Sequence, residues 1–389
     1  MSKNIHVAIV GGGLGGLAAA AALVHRGISV AVYEQAKTLG EVGAGIFIYP
    51  NSLRQLERIG LGPALARVGA KVGTDSAYYR MDGSVVGKIL TTDSSGWNGM
   101  YGMHRADMLN TLAAAVPASA IHTGHRCIGF SQDDHGARVE FDNGQAATAD
   151  VVIAADGIKS VLQKYAVAPS APEYSGFRAY RGLIAADKLP HWKREAHQVW
   201  MGDGKHFMVF PVRRGELLNY VGFVPTHSET VESWSAIGDR DELAASFAGA
   251  DPRVTELLDK VESCFWWGLH DRKPLEKWTH GRLTLLGDAA HPMLPHLGQG
   301  ANQAIEDGTA LAVLLQKCGG DVQAALQSYE ALRRPRTSFV QAESRKNGMR
   351  YDSKYQDMAQ RDREIANIAE LRKSLYDYDI EKEAAEFRA

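Results

Sequence analysis

The sequence predicts an α/β fold: a Rossmann-like parallel sheet of nucleotide-binding type, interrupted by an inserted, mainly antiparallel β-sheet and closed by C-terminal helices. Three observations carry this. An apolar strand near the start runs straight into a glycine-rich turn and a helix. Two later apolar runs each end in an acid beside a glycine, Asp156-Gly157 and Gly287-Asp288. Between those two, helical periodicity fades and short alternating stretches take over.

The opening unit is the most informative. Val7-Ala8-Ile9-Val10 reads as a buried strand and feeds directly into Gly11-Gly12-Gly13-Leu14-Gly15-Gly16. Gly11, Gly13 and Gly16 have the G-x-G-x-x-G spacing. The first permits a tight turn, the second lets backbone approach a pyrophosphate, and the third lets the helix pack on the strand. Leu17 to Val24 is alanine- and leucine-rich and reads as that helix, its first N–H groups facing the place a phosphate would take, with His25-Arg26-Gly27 as its end. Ile28 to Tyr33 reads as a second strand. Glu34 stands at its end, about 20 residues beyond the glycines, where a carboxylate accepts from ribose hydroxyls. Taken alone, the unit admits NAD, NADP or FAD. The run Val7 to Val24 has nearly the length of a membrane span, but its glycines, weak alanine-dominated hydrophobicity and missing basic flank argue against a span or a signal core.

Composition sets the outer bounds. At 389 residues the chain is too long for one ordinary domain, and its 45% hydrophobic and 23% charged content is that of a globular protein without membrane partners. A formal net charge of -2 gives no reason to expect nucleic acid or an anionic membrane. The three cysteines, Cys127, Cys264 and Cys318, are far apart and match no metal or redox spacing, so buried structural thiols in a reduced, cytoplasmic protein are expected, with no metal.

The remaining elements follow in order. Gly40, Gly43 and Gly45 cluster before Phe47 and a helical pattern that runs to about Ile59, which suits close backbone approach to a flat ligand or an ordinary turn. Ser76 to Leu90 alternates like a hairpin with Met81-Asp82-Gly83-Ser84 as its turn. His104-Arg105 opens a helix, and strands over 120–149 lead to Val151–Ala155, a buried parallel strand ending in Asp156-Gly157. That strand end is the edge at which open α/β sheets bind ligands. Within 174–278 the stretches Gln198–Met201, His206–Pro211 and Asn219–Phe223 read as strands, Arg240–Glu262 as a short helical portion, and Phe265-Trp266-Trp267 as core. Leu283–Leu286 is a further buried strand; Gly298-Gln299-Gly300-Ala301-Asn302 precedes a helix over Gln303–Leu315. A helix is expected from Ala325 to Arg350, broken at Pro335, followed by a charged surface tail. The predicted organisation is a discontinuous nucleotide-binding domain, 1–173 and 279–345, an inserted domain, 174–278, and a helical tail, 346–389.

Taken together, Gly11–Gly16 with Glu34, Asp156-Gly157, and Gly287-Asp288 with His291-Pro292 and Gly298–Asn302 resemble the single-component FAD-dependent aromatic hydroxylases of the p-hydroxybenzoate hydroxylase type, over about residues 5–345. Local text closest to salicylate hydroxylase and to the 3-hydroxybenzoate and 6-hydroxynicotinate hydroxylases is Ala179-Tyr180-Arg181-Gly182, His206 with Phe210-Pro211-Val212-Arg213, Leu269-His270-Asp271, Met293-Leu294-Pro295-His296 and Leu332-Arg333-Arg334-Pro335-Arg336. The resemblance implies a Rossmann-like FAD-binding domain in which Gly11, Gly13 and Gly16 hold the FAD pyrophosphate and Glu34 the adenosine ribose. It implies Arg105 as an FAD contact, Asp156 between FAD and a transient NADH or NADPH, Asp288 on the ribityl chain, and Gly300, Ala301 and Asn302 along the isoalloxazine.

The implied reaction uses tightly bound FAD, NAD(P)H and O2 to hydroxylate a small aromatic acid, in a monomer or homodimer. Attack on the ring is easier from a phenolate, which calls for a base near the substrate hydroxyl; His206 and His296 are the candidates. Phe47, Phe210 and Pro295 are expected in the substrate pocket. Hydroxynicotinate enzymes are similar but carry His where this chain has Phe47 and Tyr where it has Phe210, which favours a salicylate-like ring with decarboxylative hydroxylation as an option. The family's usual Arg three residues after Ser160 is Gln163 here, so the choice of NADH or NADPH stays open. A flavin-dependent halogenase would share the opening motif, but Phe265-Trp266-Trp267-Gly268-Leu269 does not match its W-x-W-x-I-P pattern. A non-oxygenating flavoprotein is the remaining alternative.

Overall fold

The computed structural model describes residues 5–40, 44–169, 171–202, 204–226, 236–352 and 356–388; Gly43 of the glycine cluster lies outside them. The nucleotide-binding sheet has six strands in the order Thr279–His280, Leu283–Leu285, Val151–Ala154, His6–Val10, Ser29–Glu34, Ile121–Thr123. All neighbours are parallel except the first pair. The three central strands bury apolar stretches, Val151–Ala154 and residues 7–10 and 30–32, as a sheet covered on both faces requires. Because they run parallel, Gly11, Ala155-Asp156-Gly157 and Leu286-Gly287-Asp288 emerge side by side at one edge. The ladder continues past the strand ends through Ala155 N–H to Val10 O (2.8 Å) and Leu286 N–H to Ala154 O (2.9 Å).

The helix Leu14–His25 follows the glycine turn and packs on the helix Gly300–Lys317. The approach is close: a Cβ on Gly308 would lie 2.6 Å from Ala19 Cα, so the alanine run and Gly308 together set the spacing.

The second layer is an eight-stranded sheet in the order Ala236–Gly238, Cys264–Asp271, Glu173–Ala185, Leu217–Pro225, Lys205–Val212, Gln198–Gly202, Ala77–Arg80, Val85–Lys88. Its antiparallel core lies in the expected insert, but the hairpin Ala77–Lys88 joins from the first segment, pairing in parallel with Gln198–Met201. The hairpin covers backbone groups that the strand Gln198–Gly202 would otherwise leave unpaired at an edge. The expected helical portion is two short helices, Arg240–Ser246 and Pro252–Asp259, capped by Asp239 and Asp251.

Two expectations for the C-terminal region change. The helix Val322–Tyr351 runs unbroken through Pro335. Proline removes one backbone donor and crowds the preceding turn, and neighbouring side chains pin this one to the core. Arg333 is fully buried and bonds Glu306 Oε2 (2.5 Å) and Asp307 Oδ1 (2.8 Å), and Arg336 Nε bonds Glu306 Oε2 (2.7 Å). The tail is not a surface appendage either. The helix Met358–Tyr376 buries Ile365, Ile368, Leu375 and Tyr376 in the same apolar cluster as Phe47 and Phe210. Its Arg372 is enclosed among phenols, donating to Tyr78 Oη (3.0 Å) and Tyr376 Oη (2.8 Å). The charge pattern reads as solvated because tyrosine hydroxyls, not water, receive that guanidinium. Of the cysteines, Cys127 and Cys264 are buried, with burial pushing both thiols up to about 11, while Cys318 is half-buried.

Asp307 also accepts from His291 Nε2 (2.6 Å) and from Gly287 N–H (3.1 Å), so the same network clamps the turn that carries Asp288. Burial pushes the Asp307 carboxyl up, but the His291 ring and the Arg333 guanidinium outweigh it and hold it at about 2 against the usual 3.8. A depressed carboxyl contributes stability that is present above its unfolded value and lost as pH falls through its folded one. Urea unfolding should therefore weaken between about pH 4 and pH 2 by about 2 kcal/mol from this group, and Asp307→Asn should flatten that window. Arg333→Met, which removes the cation that the two buried carboxylates share and leaves Glu306 only Arg336, should cost about 3–5 kcal/mol at pH 7 in the same assay.

Candidate active site

The glycine turn is built by exclusion. Gly11 sits at φ +112°, and a Cβ there would lie 2.2 Å from Ala155 O; one on Gly16 would lie 1.9 Å from Gly11 O. Both positions therefore require glycine on steric grounds. Gly13 is different: a Cβ there meets nothing within 4 Å, because the residue faces open space at the start of the helix. Glu34 closes the turn from the next strand, its Oε2 accepting from Gly12 N–H (2.7 Å) and its Oε1 from Ala36 N–H (2.8 Å).

Asp156 lies one strand over. Its Oδ2 accepts from Val161 N–H (2.8 Å), while its Oδ1 is enclosed with no hydrogen-bond partner among the described residues. Burial raises its carboxyl above the usual range. Gln163, at the position that departs from the family's Arg, is a brace: its Nε2 donates to Ala289 O (2.9 Å) in the turn after Asp288. An open cradle at Gly13, an orphaned acid oxygen at Asp156, and three strand ends converging on one helix N-terminus fit a dinucleotide cofactor.

A cavity of about 400 Å³ opens from this edge and runs over the face of the eight-stranded sheet. Gly13, Arg105, Asp288, Gly300 and Ala301 line its nucleotide end, and Phe47, Phe210 and Pro295 its far end. Gly11, Gly16, Glu34 and Asp156 shape the turn behind it without lining it. Asn302 does not line it either; its side chain is used in joining elements, with Oδ1 accepting from Tyr49 N–H (2.9 Å) and Nδ2 donating to Phe47 O (3.0 Å) and Gly298 O (2.9 Å).

The floor of the cavity follows from strand alternation and register. One cross-strand row holds Met201, His206, Phe223 and Ala179; the next holds Val199, Met208, Val221 and Arg181; a third holds Phe210, Asn219 and Leu183. The middle row supplies an apolar bed. Arg181 ends it as a cation, 5% exposed, with its guanidinium 4.8 Å from the Trp267 ring centroid. Phe47 and Phe210 meet at 4.0 Å between ring centroids and wall one side.

Both candidate histidines lie on this face but behind its lining. His206 is fully buried; Phe223, which lines the cavity, stacks on it at 4.1 Å between centroids with planes 15° apart. Its Nδ1 bonds Asp352 Oδ1 (2.7 Å), and its Nε2 has no partner among the described residues. His296 meets His206 edge-on at 5.3 Å, and burial, with His206 beside it, pushes its imidazole well below the usual value, so it is neutral at pH 7.

Sequence reasoning missed Asp352, Arg181, Asn219 and His197. Asp352 sits in the last turn after a long helix, where no spacing ties it to His206. Arg181 and Asn219 were within reach of the alternation rule, since each is in phase with an inward-facing neighbour on its own strand. His197, whose ring nitrogens both lack partners among the described residues, packs behind Phe47 at 4.6 Å.

Among the described residues no helix is long and apolar enough to cross a membrane. The sequence matches the family described as FAD binding domain over residues 4–344. It is similar to the 3-amino-4-hydroxybenzoate 2-monooxygenase of Streptomyces cremeus, 36% identical over 89% of this chain and 87% of that one. It is also similar to the salicylate hydroxylase of Pseudomonas putida, 33% identical over 99% of this chain and 95% of that one. Among solved structures, a salicylate hydroxylase substrate complex superposes with a TM-score of 0.86 at 29% identity, covering 100% of each chain. Klebsiella pneumoniae HpxO complexed with FAD and uric acid gives 0.81 at 26% identity, covering 99% of this chain and 96% of that one. The strand ends, the glycine cradle and these likenesses agree: the chain belongs to the FAD binding domain family and is a flavoprotein monooxygenase of the aromatic hydroxylase group.

Proposed function

We propose that the protein hydroxylates a small hydroxylated aromatic carboxylate, salicylate-like in its ring, with decarboxylation where the attacked carbon carries the carboxyl group. The observation that carries this reading is the floor of the cavity: an apolar bed of Met208 and Val221 under Phe47 and Phe210, ended by the buried Arg181 cation. A flat ring is accommodated by the first, and a carboxylate is held by the second through charge-assisted hydrogen bonds.

In this reading the turn from Gly11 through Gly13 to Gly16, Glu34, Arg105, Asp156, Asp288, Gly300 and Ala301 hold FAD, with Asn302 bracing the strand beneath. When bound, FAD supplies the redox chemistry: two electrons from NAD(P)H and one O2, with one oxygen atom going to the ring and the other to water. The chain's own residues orient the ring, exclude water and manage one proton. His206 is the base. Asp352 accepts a hydrogen bond from Nδ1–H and so fixes the tautomer, which leaves Nε2 as the acceptor for the substrate hydroxyl proton once Phe223 turns aside. His296, neutral and edge-on to His206, fills the space beside it rather than titrating. Phe47 and Phe210 in place of polar residues favour a carbocyclic over a pyridine ring.

His206→Ala should lower the rate of product formation about 10²-fold, and Asp352→Asn by about tenfold or more, with the bound flavin retained. His296→Ala should leave the shape of the pH–rate profile between pH 6 and 8 unchanged. A His206→Ala enzyme with normal turnover would remove His206 from this role. NADH and NADPH oxidation across a panel of hydroxybenzoates and hydroxypyridine carboxylates should be stimulated by salicylate-like acids, with catechol and CO2 released one for one from salicylate itself. Peroxide release without oxygenated product from every compound would mean that the substrate class is wrong.

A further inference from the structure

Asn219 has an unusual standing on the cavity floor. It is 1% exposed and lines the cavity, yet only half of its amide is used among the described residues. Its Oδ1 accepts from Gly45 N–H (2.7 Å), and that bond fixes the plane and sense of the amide. Its Nδ2 is left as a buried donor with no partner among the described residues. The seat is tight: a Cβ on Gly45 would lie 2.8 Å from Asn219 Cβ and 2.6 Å from the Phe210 ring, so the amide has little room to turn. A buried donor without a partner costs free energy that a ligand acceptor would recover. His197 has the same kind of deficit, but it lies behind Phe47 and Phe210 and does not reach the cavity.

The register places Asn219 opposite His206 across the bed. His206 and Phe210 are on one strand with Met208 between them, and Asn219 pairs with Phe210 on the next. Two pleats separate the His206 row from the Asn219 row, about 14 Å of backbone. A benzene ring with para oxygen substituents and a hydrogen bond of about 2.8 Å at each end spans roughly 11 Å, so the fit requires the two side chains to lean toward the ring. Arg181, at the end of the middle row, takes the carboxylate between them.

We infer that Asn219 is a specificity-determining residue: its Nδ2 donates to a polar substituent on the substrate ring para to the hydroxyl that faces His206. The substrate is then a salicylate-like acid with a further oxygen function at ring position 5, rather than salicylate alone. This rests on the reading of the cavity as an aromatic-acid site.

The test is equilibrium titration of the FAD-loaded protein, without NAD(P)H, followed by perturbation of the flavin absorbance. The ligands are 2,5-dihydroxybenzoate and 5-methylsalicylate, which have nearly the same shape and differ in hydrogen bonding. The dihydroxy acid should bind about tenfold more tightly to the wild-type protein, and Asn219→Leu should bring the two within about twofold. Equal binding to the wild type, or a preference that survives Asn219→Leu, overturns the assignment; the wild-type ratio decides it by itself if the variant loses flavin. If salicylate, 3-hydroxybenzoate and both test ligands all leave the flavin spectrum unchanged, the aromatic-acid reading fails as well.

Discussion

A buried charge network holds the two ends of the nucleotide-binding half together. Glu306 and Asp307, adjacent on the helix that faces the cavity, carry negative charge into the buried interior, and Arg333 answers both at once. Such groups gain little net stability over an apolar core of the same volume, but removing one partner strands the others. What they supply is position. Asp307 reaches the backbone of Gly287 and the ring of His291, Glu306 reaches Asn51, and the Arg333 helix crosses beneath. The turn carrying Asp288 is thereby held against the helix that begins at Gly300, and Asn302 ties that helix to the strand bearing Phe47.

That anchoring bears on how the two ends of the cavity are built. Its nucleotide end is set by backbone: Gly11 and Gly16 behind it, which nothing larger could replace, the open Gly13 beside it, and strand ends ordered by parallel pairing. Its far end is set by side chains on the open face of the second sheet, where alternation alone decides which residues look inward. The C-terminal tail closes the arrangement from behind, with Tyr351 and Asp352 against His206 and Tyr376 stacked on Tyr49 at 5.2 Å. His206, the carboxylate that bonds its ring and the wall beside it thus come from three distant parts of the chain.

Different parts of this were legible in the sequence to different degrees. The strand-turn-helix at Gly11–Gly16, Glu34 at the next strand end and the apolar run before Asp156 are local patterns, so their elements could be read residue by residue. Phe47, Phe210 and Pro295, named from resemblance, do line the cavity; Asn302, named the same way, spends its side chain on the backbone around it. The unbroken helix through Pro335 and the buried tail were not legible. Propensity and charge describe an isolated segment, whereas ion pairs from Arg333 and Arg336 and the phenols around Arg372 are supplied by other segments.

The sequence by itself determined the nucleotide-binding half, because steric demands on glycine and the periodicity of buried strands are properties of neighbouring residues. It also determined the kind of chemistry, through motifs whose order along the chain is specific. Only the tertiary structure decided which residues share the cavity floor, that His206 is backed by Asp352 and screened by Phe223, and that the Asn219 amide donor has no partner among the described residues. Those facts depend on register between strands far apart in sequence and on a helix returning from the C-terminus, and no local pattern encodes either.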